Sequence, residues 1–258
     1  MKYFIALLLI LHPFFIKAQV SERAVTEEII GNQLKKLSYH EAMYIIGGDD
    51  DLKLQFSFKY RLSQEWNVYL AFTQLMFWDV YEDSKPFRDV NYRPEFFYRF
   101  YEKDNDFLRS LDIGYVHFSN GRDELYSRSV ERFILRSSIA SRIGRNILGG
   151  TFTIQHLFDE DITNRDIKNY LGFWDLKLFL RDFVIFDKHR LDLTFDVHAG
   201  SKIIDFDKGA YQLGLLYKFT NSSFNPAIYL QRFEGYGESL LTYNKKRVEH
   251  RIGIMMMF

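Results

Sequence analysis

A histidine, a serine and a carboxylate fall at the ends of two alternating rows between Leu111 and Ser141, a stretch reading LDIGYVHFSNGRDELYSRSVERFILRSSIAS. In its first half Leu111, Ile113 and Tyr115 alternate with Asp112, Gly114 and Val116. Extended chain places residues two apart on the same side, so His117 and Ser119 continue the apolar row. In the second half Glu131, Phe133, Leu135 and Ile139 form a matching row, with Arg132 and Arg136 opposite. A hydroxyl, an imidazole and a carboxylate gathered at one end of a hairpin are the parts of a nucleophile, a base and an orienting group. On a strand His117 and Ser119 lie about 7 Å apart at Cα, close enough for the imidazole to lean onto the hydroxyl. The row they extend is greasy, so such a site would meet a lipid before a water-soluble substrate.

The elements that must hold these groups are strands. Alternating segments begin at Ala42–Gly47 and Leu52–Leu62, continue through Trp66–Trp78 and Pro94–Tyr101, and reach the pair Leu108–Ser119 and Val130–Ser141. Six more follow: Gly149–Leu157, Tyr170–Arg181, Arg190–Ala199, Ala210–Phe219, Pro226–Phe233 and Val248–Phe258. One face of the second segment carries Leu52, Leu54, Phe56, Phe58 and Tyr60, and the other carries Lys53, Gln55, Ser57, Lys59 and Arg61. A soluble sandwich and a membrane barrel share that alternation. Strand length, aromatics near strand ends and a terminal Phe258 favour the barrel. In hydrocarbon no strand edge can stay open, so the sheet must close. An even count returns both termini to one side. The sequence therefore predicts an all-β chain, a twelve-stranded antiparallel transmembrane β-barrel. The longer connections, 77–93 and 120–129, are expected outside the cell, and the short 102–107 in the periplasm.

Residues 1–18 read as an export signal. Lys2 opens it, Phe4–Ile16 is nearly all apolar, and Ile16-Lys17-Ala18 ends on a small residue. The run is too short for a spanning helix and is interrupted by His12 and Pro13. Residues 19–38 read as a periplasmic tail with one helical turn near Glu27–Leu37, and 39–258 as the barrel. The 258 residues carry equal numbers of acidic and basic side chains, 34 each, which argues against a nucleic-acid partner. There is no cysteine, hence no disulfide frame and no thiolate metal site.

The residues around the site resemble a known family. His117-Phe118-Ser119-Asn120-Gly121-Arg122, then Ser127-Arg128-Ser129 and Arg132, resemble the active-site segment of bacterial outer-membrane phospholipase A. Phe72-Thr73-Gln74, Trp78 and the run Ser84 to Glu95 resemble a second block of that family. Gly235-Tyr236-Gly237-Glu238-Ser239-Leu240 with Tyr243-Asn244 resembles a third. The resemblance implies calcium-dependent hydrolysis of phospholipid acyl esters, at either position and in lysophospholipids, by a homodimer in a Gram-negative outer membrane. It implies Ser119 as nucleophile and His117 as general base. It implies calcium held by the Arg122 carbonyl, the Ser127 hydroxyl and Ser84 from a second subunit, and a dimer contact at Gln74.

The third member departs from the family. Glu131 stands where an asparagine is usual, after Val130 where a tryptophan is usual. A carboxylate can orient a histidine and stabilise its cation, but it must be paired if it is desolvated. Two readings remain at this point: a working Ser-His-Glu site, or a barrel that kept the scaffold and lost the reaction, acting at most as a passive pore. Asp123 and Glu124 could add oxygens to the calcium loop or could be plain solvated residues. Asp159-Glu160-Asp161 and Asp49-Asp50-Asp51 read as solvated turns. His156, His189 and His198 show no metal spacing, and His250 falls on the lipid-facing row of the last segment.

Overall fold

The computed structural model describes residues 36–63, 65–103, 106–158, 160–219 and 225–257. The expected export signal, most of the expected tail with its helical turn, and Phe258 lie outside the described residues. Tyr39–Phe258 forms a unit of its own. A short strand β1 (Leu37–Tyr39) begins the described chain.

Twelve strands then alternate with loops. They begin with β2 (Met43–Gly47), β3 (Leu52–Arg61) and β4 (Val68–Trp78). The middle set is β5 (Phe87–Glu102), β6 (Leu108–Ser119), β7 (Ser129–Ile143) and β8 (Asn146–Phe158). The last are β9 (Trp174–Phe186), β10 (His189–His198), β11 (Ala210–Phe219), β12 (Asn225–Gly235) and β13 (Arg247–Met257). Each pairs antiparallel with its neighbours in sequence, and β13 pairs with β2, with Ile254 opposite Ile45. The ring of β2 to β13 is thus a closed twelve-stranded barrel, as the alternation predicts. Closure leaves no unpaired edge among these strands, which is what a strand in lipid requires.

The two faces separate as expected. Phe56, Phe58, Ile113, Phe133, Leu135, Ile252 and Ile254 are exposed on the outer wall, while Lys53, Ser57, Asp112, Glu249 and Arg251 are buried in the lumen. An exposed apolar band of this extent would be a liability in water and is stabilising in hydrocarbon. No helix among the described residues is long and apolar enough to cross a membrane.

Inside, charges meet from different strands. Glu41 takes Arg93 of β5 and Lys177 of β9, the latter at 3.0 Å. Glu95 takes His40 at 3.0 Å and Arg136 of β7 at 2.8 Å. Lys53 donates to Gln231 at 3.1 Å and to Glu238 at 2.9 Å. Arg251 bridges Asp51 at 2.9 Å and Glu238 at 2.7 Å. A cavity of about 540 Å³ remains, lined among others by Glu41, Lys53, Glu95, Arg136, Lys177 and Glu238.

Several boundaries differ from the sequence reading, and two of the shifts move residues into a different kind of element. Phe87–Arg93, expected as loop, extends β5 and pairs along β4, with Tyr92 opposite Gln74. Its polar residues Asp89 and Asn91 are buried rather than solvated, and they accept the backbone amides of Leu241 and Leu240. Tyr170–Leu171, expected as strand, belongs instead to a helical turn, Lys168–Leu171. Gly172 ends it at φ 63, where an added Cβ would stand 2.1 Å from the Ala199 carbonyl. Only glycine combines that backbone sign with so close an approach.

Candidate active site

The register of β6 and β7 assembles the site. His117 lies directly opposite Glu131, and Ser119 opposite Ser129. Val116 and Val130 are buried on the lumen side, so their neighbours His117, Ser119 and Glu131 share the outer face. The His117 ring lies between its partners. Its Nδ1 is 2.5 Å from Glu131 Oε1, and its Nε2 is 2.9 Å from Ser119 Oγ. The Glu131 side chain is 15 % exposed and the His117 side chain 38 %, so the carboxylate is the more sheltered of the two. The three residues singled out in sequence thus form one hydrogen-bonded line on the outer wall.

The loop after Ser119 is tightly tied. Asn120 is buried, donates to the Tyr126 carbonyl at 2.9 Å and accepts from the Arg128 amide at 2.9 Å. Gly121 sits at φ +61, where an added Cβ would press within 2.9 Å of the Tyr92 ring. The Arg122 guanidinium reaches back to the Phe87 and Arg88 carbonyls. Ser127 Oγ donates to Asp161 at 2.6 Å. Ser84, expected from a second subunit, is exposed in the 79–86 turn of this chain. Asp123 and Glu124 are also exposed.

This barrel architecture is shared with solved structures. An outer membrane phospholipase A from Escherichia coli superposes with a TM-score of 0.69 at 24 % identity, over 86 % of this chain and 91 % of that one. A Salmonella typhi outer membrane phospholipase dimer with bound calcium gives a TM-score of 0.68 at 23 % identity, over 86 % and 92 %. In sequence, the phospholipase A1 of Escherichia coli K12 is 29 % identical over 226 residues, 80 % of this chain and 70 % of that one. The phospholipase A1 of Salmonella typhimurium is 28 % identical over 233 residues. The phospholipase A1 family model matches residues 12–256. This chain belongs to the phospholipase A1 family.

Phospholipase A1 family membership leaves several contacts that the sequence did not point to. Tyr115, read only as part of the apolar row, donates its hydroxyl to Glu131 Oε2. Asp161, read as a solvated turn, accepts from Ser127 and caps the next turn by accepting from the Thr163 amide at 2.9 Å. These bonds, the Ser127 hydroxyl first, hold the Asp161 carboxyl below its ordinary range. Asn164 is buried and bonds both the amide and the carbonyl of Ser129, at 3.1 and 2.9 Å. Ser129 is the residue facing Ser119, so this asparagine braces the site from the neighbouring loop. An Asx-type cap after Asp161 was legible in principle, but its reach to Ser127 is set by tertiary folding.

Other residues fall where their rows put them. Gln74 shares the outer wall of β4 with exposed Leu70, and its amide leans on Met76 Sδ at 3.3 Å. His250 lies on the outer wall, 3.5 Å from Arg232. His156 stands opposite Phe133, exposed, beside the Phe158 ring. His198 points inward and contacts the Tyr170 carbonyl at 2.9 Å.

Proposed function

We propose that this chain hydrolyses the acyl esters of phospholipids in a Gram-negative outer membrane, with Ser119 as nucleophile, His117 as general base and Glu131 as the orienting group. The observation that carries the reading is the unbroken line Glu131–His117–Ser119 on the apolar outer face. In this reading Ser119 Oγ attacks the ester carbonyl while His117 Nε2 takes its proton. The imidazolium passes that proton to the departing lysophospholipid oxygen, leaving an acyl-serine. Water, deprotonated by the same imidazole, then releases the fatty acid. Glu131 fixes the tautomer by accepting from Nδ1 and stabilises the transient cation.

Calcium fits the loop beside the nucleophile. The Arg122 carbonyl and Ser127 hydroxyl supply oxygen, as does Ser84 from a partner chain, and oxygen donors in loops suit a hard cation. The Ser127–Asp161 pair supports this, because it puts a carboxylate against one of those donors. When bound there, the cation would supply positive charge to the developing oxyanion. A homodimer joined through the outer wall around Gln74 would bring Ser84 to the partner's loop. A buried amide bond across that contact would satisfy a side chain otherwise costly in lipid. The passive-pore reading fares worse, because charged side chains bridge the lumen from several walls.

The test is phospholipid hydrolysis in detergent micelles, with calcium and with chelator. Wild type should turn over only with calcium, and Ser119→Ala should be inert while still running as a folded barrel. Activity in Ser119→Ala, or turnover unaffected by chelation, would refute the corresponding assignment.

A further inference from the structure

The Glu131 carboxylate has two oxygens, and two different side chains donate to them. Oε1 faces His117 Nδ1 at 2.5 Å, and Oε2 accepts the Tyr115 hydroxyl. The register makes this possible: His117 is the direct cross-strand partner of Glu131, and Tyr115, two residues earlier on the same face, pairs with Phe133. A diagonal neighbour on the next strand lies within reach of a tyrosine. The ring is seated by aromatics. Tyr115 meets Phe133 edge-on with centroids 5.9 Å apart, and Phe158 at 6.5 Å. Phe133 and Phe158 stack on each other at 4.8 Å. This cluster shelters one side of the carboxylate from water, where an ion with a lone donor would be costly.

We infer that Tyr115 is a positioning residue for the reaction: its hydroxyl locks the Glu131 carboxylate so that the other oxygen stays aimed at His117. The inference rests on the phospholipase reading above and assigns a fourth member to the line Tyr115–Glu131–His117–Ser119. The acid at 131 gives each neighbour its own acceptor oxygen, whereas an amide there would present its NH2 group in place of one of them. Tyr115 acts through Glu131 and not on the substrate. Its removal should therefore lower kcat and leave KM unchanged, since orientation of the base matters in the transition state and not in lipid binding.

The experiment is a double-mutant cycle on the full chain in mixed micelles of phosphatidylcholine and detergent with calcium. The variants are Tyr115→Phe, Tyr115→Leu, Glu131→Ala and Tyr115→Phe/Glu131→Ala. Loss of a hydrogen bond to an ion predicts a fall in kcat of about ten- to a hundredfold for Tyr115→Phe, with KM within about twofold. In the Glu131→Ala background the same change should alter kcat less than about twofold. Tyr115→Phe keeps the ring and its packing, so the barrel should stay folded, with the unfolding midpoint lowered by no more than the loss of one hydrogen bond to a charged group. If Tyr115→Phe matches wild type while Tyr115→Leu loses activity, the ring and not the hydroxyl matters, and the inference fails. Equal losses in both backgrounds also overturn it. In either of those cases the phospholipase reading stands; an inert, folded wild type would instead remove that reading and the inference with it.

Discussion

In the proposed reading the acid at position 131 sets how His117 is held. An asparagine would orient His117 through one neutral oxygen, whereas Glu131 adds charge and a second acceptor at a place only 15 % exposed. That charge is tolerable because two donors meet it, His117 and Tyr115. Glu131→Ala should lower kcat about ten-thousand-fold with KM little changed, measured by fatty-acid release from micelles. Gly121 carries a different constraint. Its φ of +61 and the Tyr92 ring 2.9 Å from the position of a Cβ leave no room for alanine. Gly121→Ala should cost about 1–2 kcal/mol from the backbone alone, read as a shift in the unfolding midpoint, and should depress turnover by displacing Arg122. The motif residues at 117, 119 and 131 were legible from alternation alone. Tyr115 was not, because nothing in an apolar row distinguishes a tyrosine that packs from one that also donates across a diagonal.

At the scale of elements, the proposed chemistry sits on the hairpin β6–β7, held by the loop that joins its strands and the loop after β8. Loop 160–173 braces loop 120–128 through Asp161 to Ser127 and through Asn164 to Ser129. Asn164→Ala would remove a partner from the half-buried amide of Ser129, whose carbonyl keeps the Asp161 amide at 3.1 Å, costing about 1–3 kcal/mol, to be measured by guanidinium unfolding in micelles. The Asp161 contact gives a pH dependence. Its carboxyl titrates below the ordinary 3.8 because Ser127 and Thr163 hydrogen-bond the ionised form. A depressed value means the stabilisation is full above 3.8 and disappears as pH falls through the folded value. The protection of the Thr163 amide against hydrogen exchange should therefore stay high through mildly acidic buffer and fall only below the ordinary carboxylate range. Asp161→Ala, which removes the acceptor, should abolish that protection at neutral pH as well. The sequence places 159–161 in a solvated turn and 87–93 in a long connection, since short polar runs read alike whether they face water or a lumen.

At the scale of the molecule, the wall is greasy and the interior is a web of ion pairs. Lys53, Glu238, Arg251 and Asp51 are buried together, with Arg88 and Glu249 joined to the same web. Glu238→Gln removes the carboxylate partner of buried Lys53, while Arg251 keeps Asp51, and should cost about 3–5 kcal/mol in denaturant unfolding. Replacing both Lys53 and Glu238 with apolar residues of similar size should cost much less, because no lone charge remains. The amino-acid sequence by itself determined the all-β class, the count of twelve, which face of each strand meets lipid, and the serine, histidine and acid on one side of one hairpin. Those follow from a period of two and from the rule that a sheet in hydrocarbon must close, both local or global constraints that need no coordinates. Only the tertiary structure decided that Glu131 faces His117 across the ladder, that Tyr115 shares its carboxylate, and that loop 160–173 braces loop 120–128. Register between strands and contacts between loops depend on which side chains fill the space between them, and the residues concerned stand from 14 to 35 positions apart in the chain.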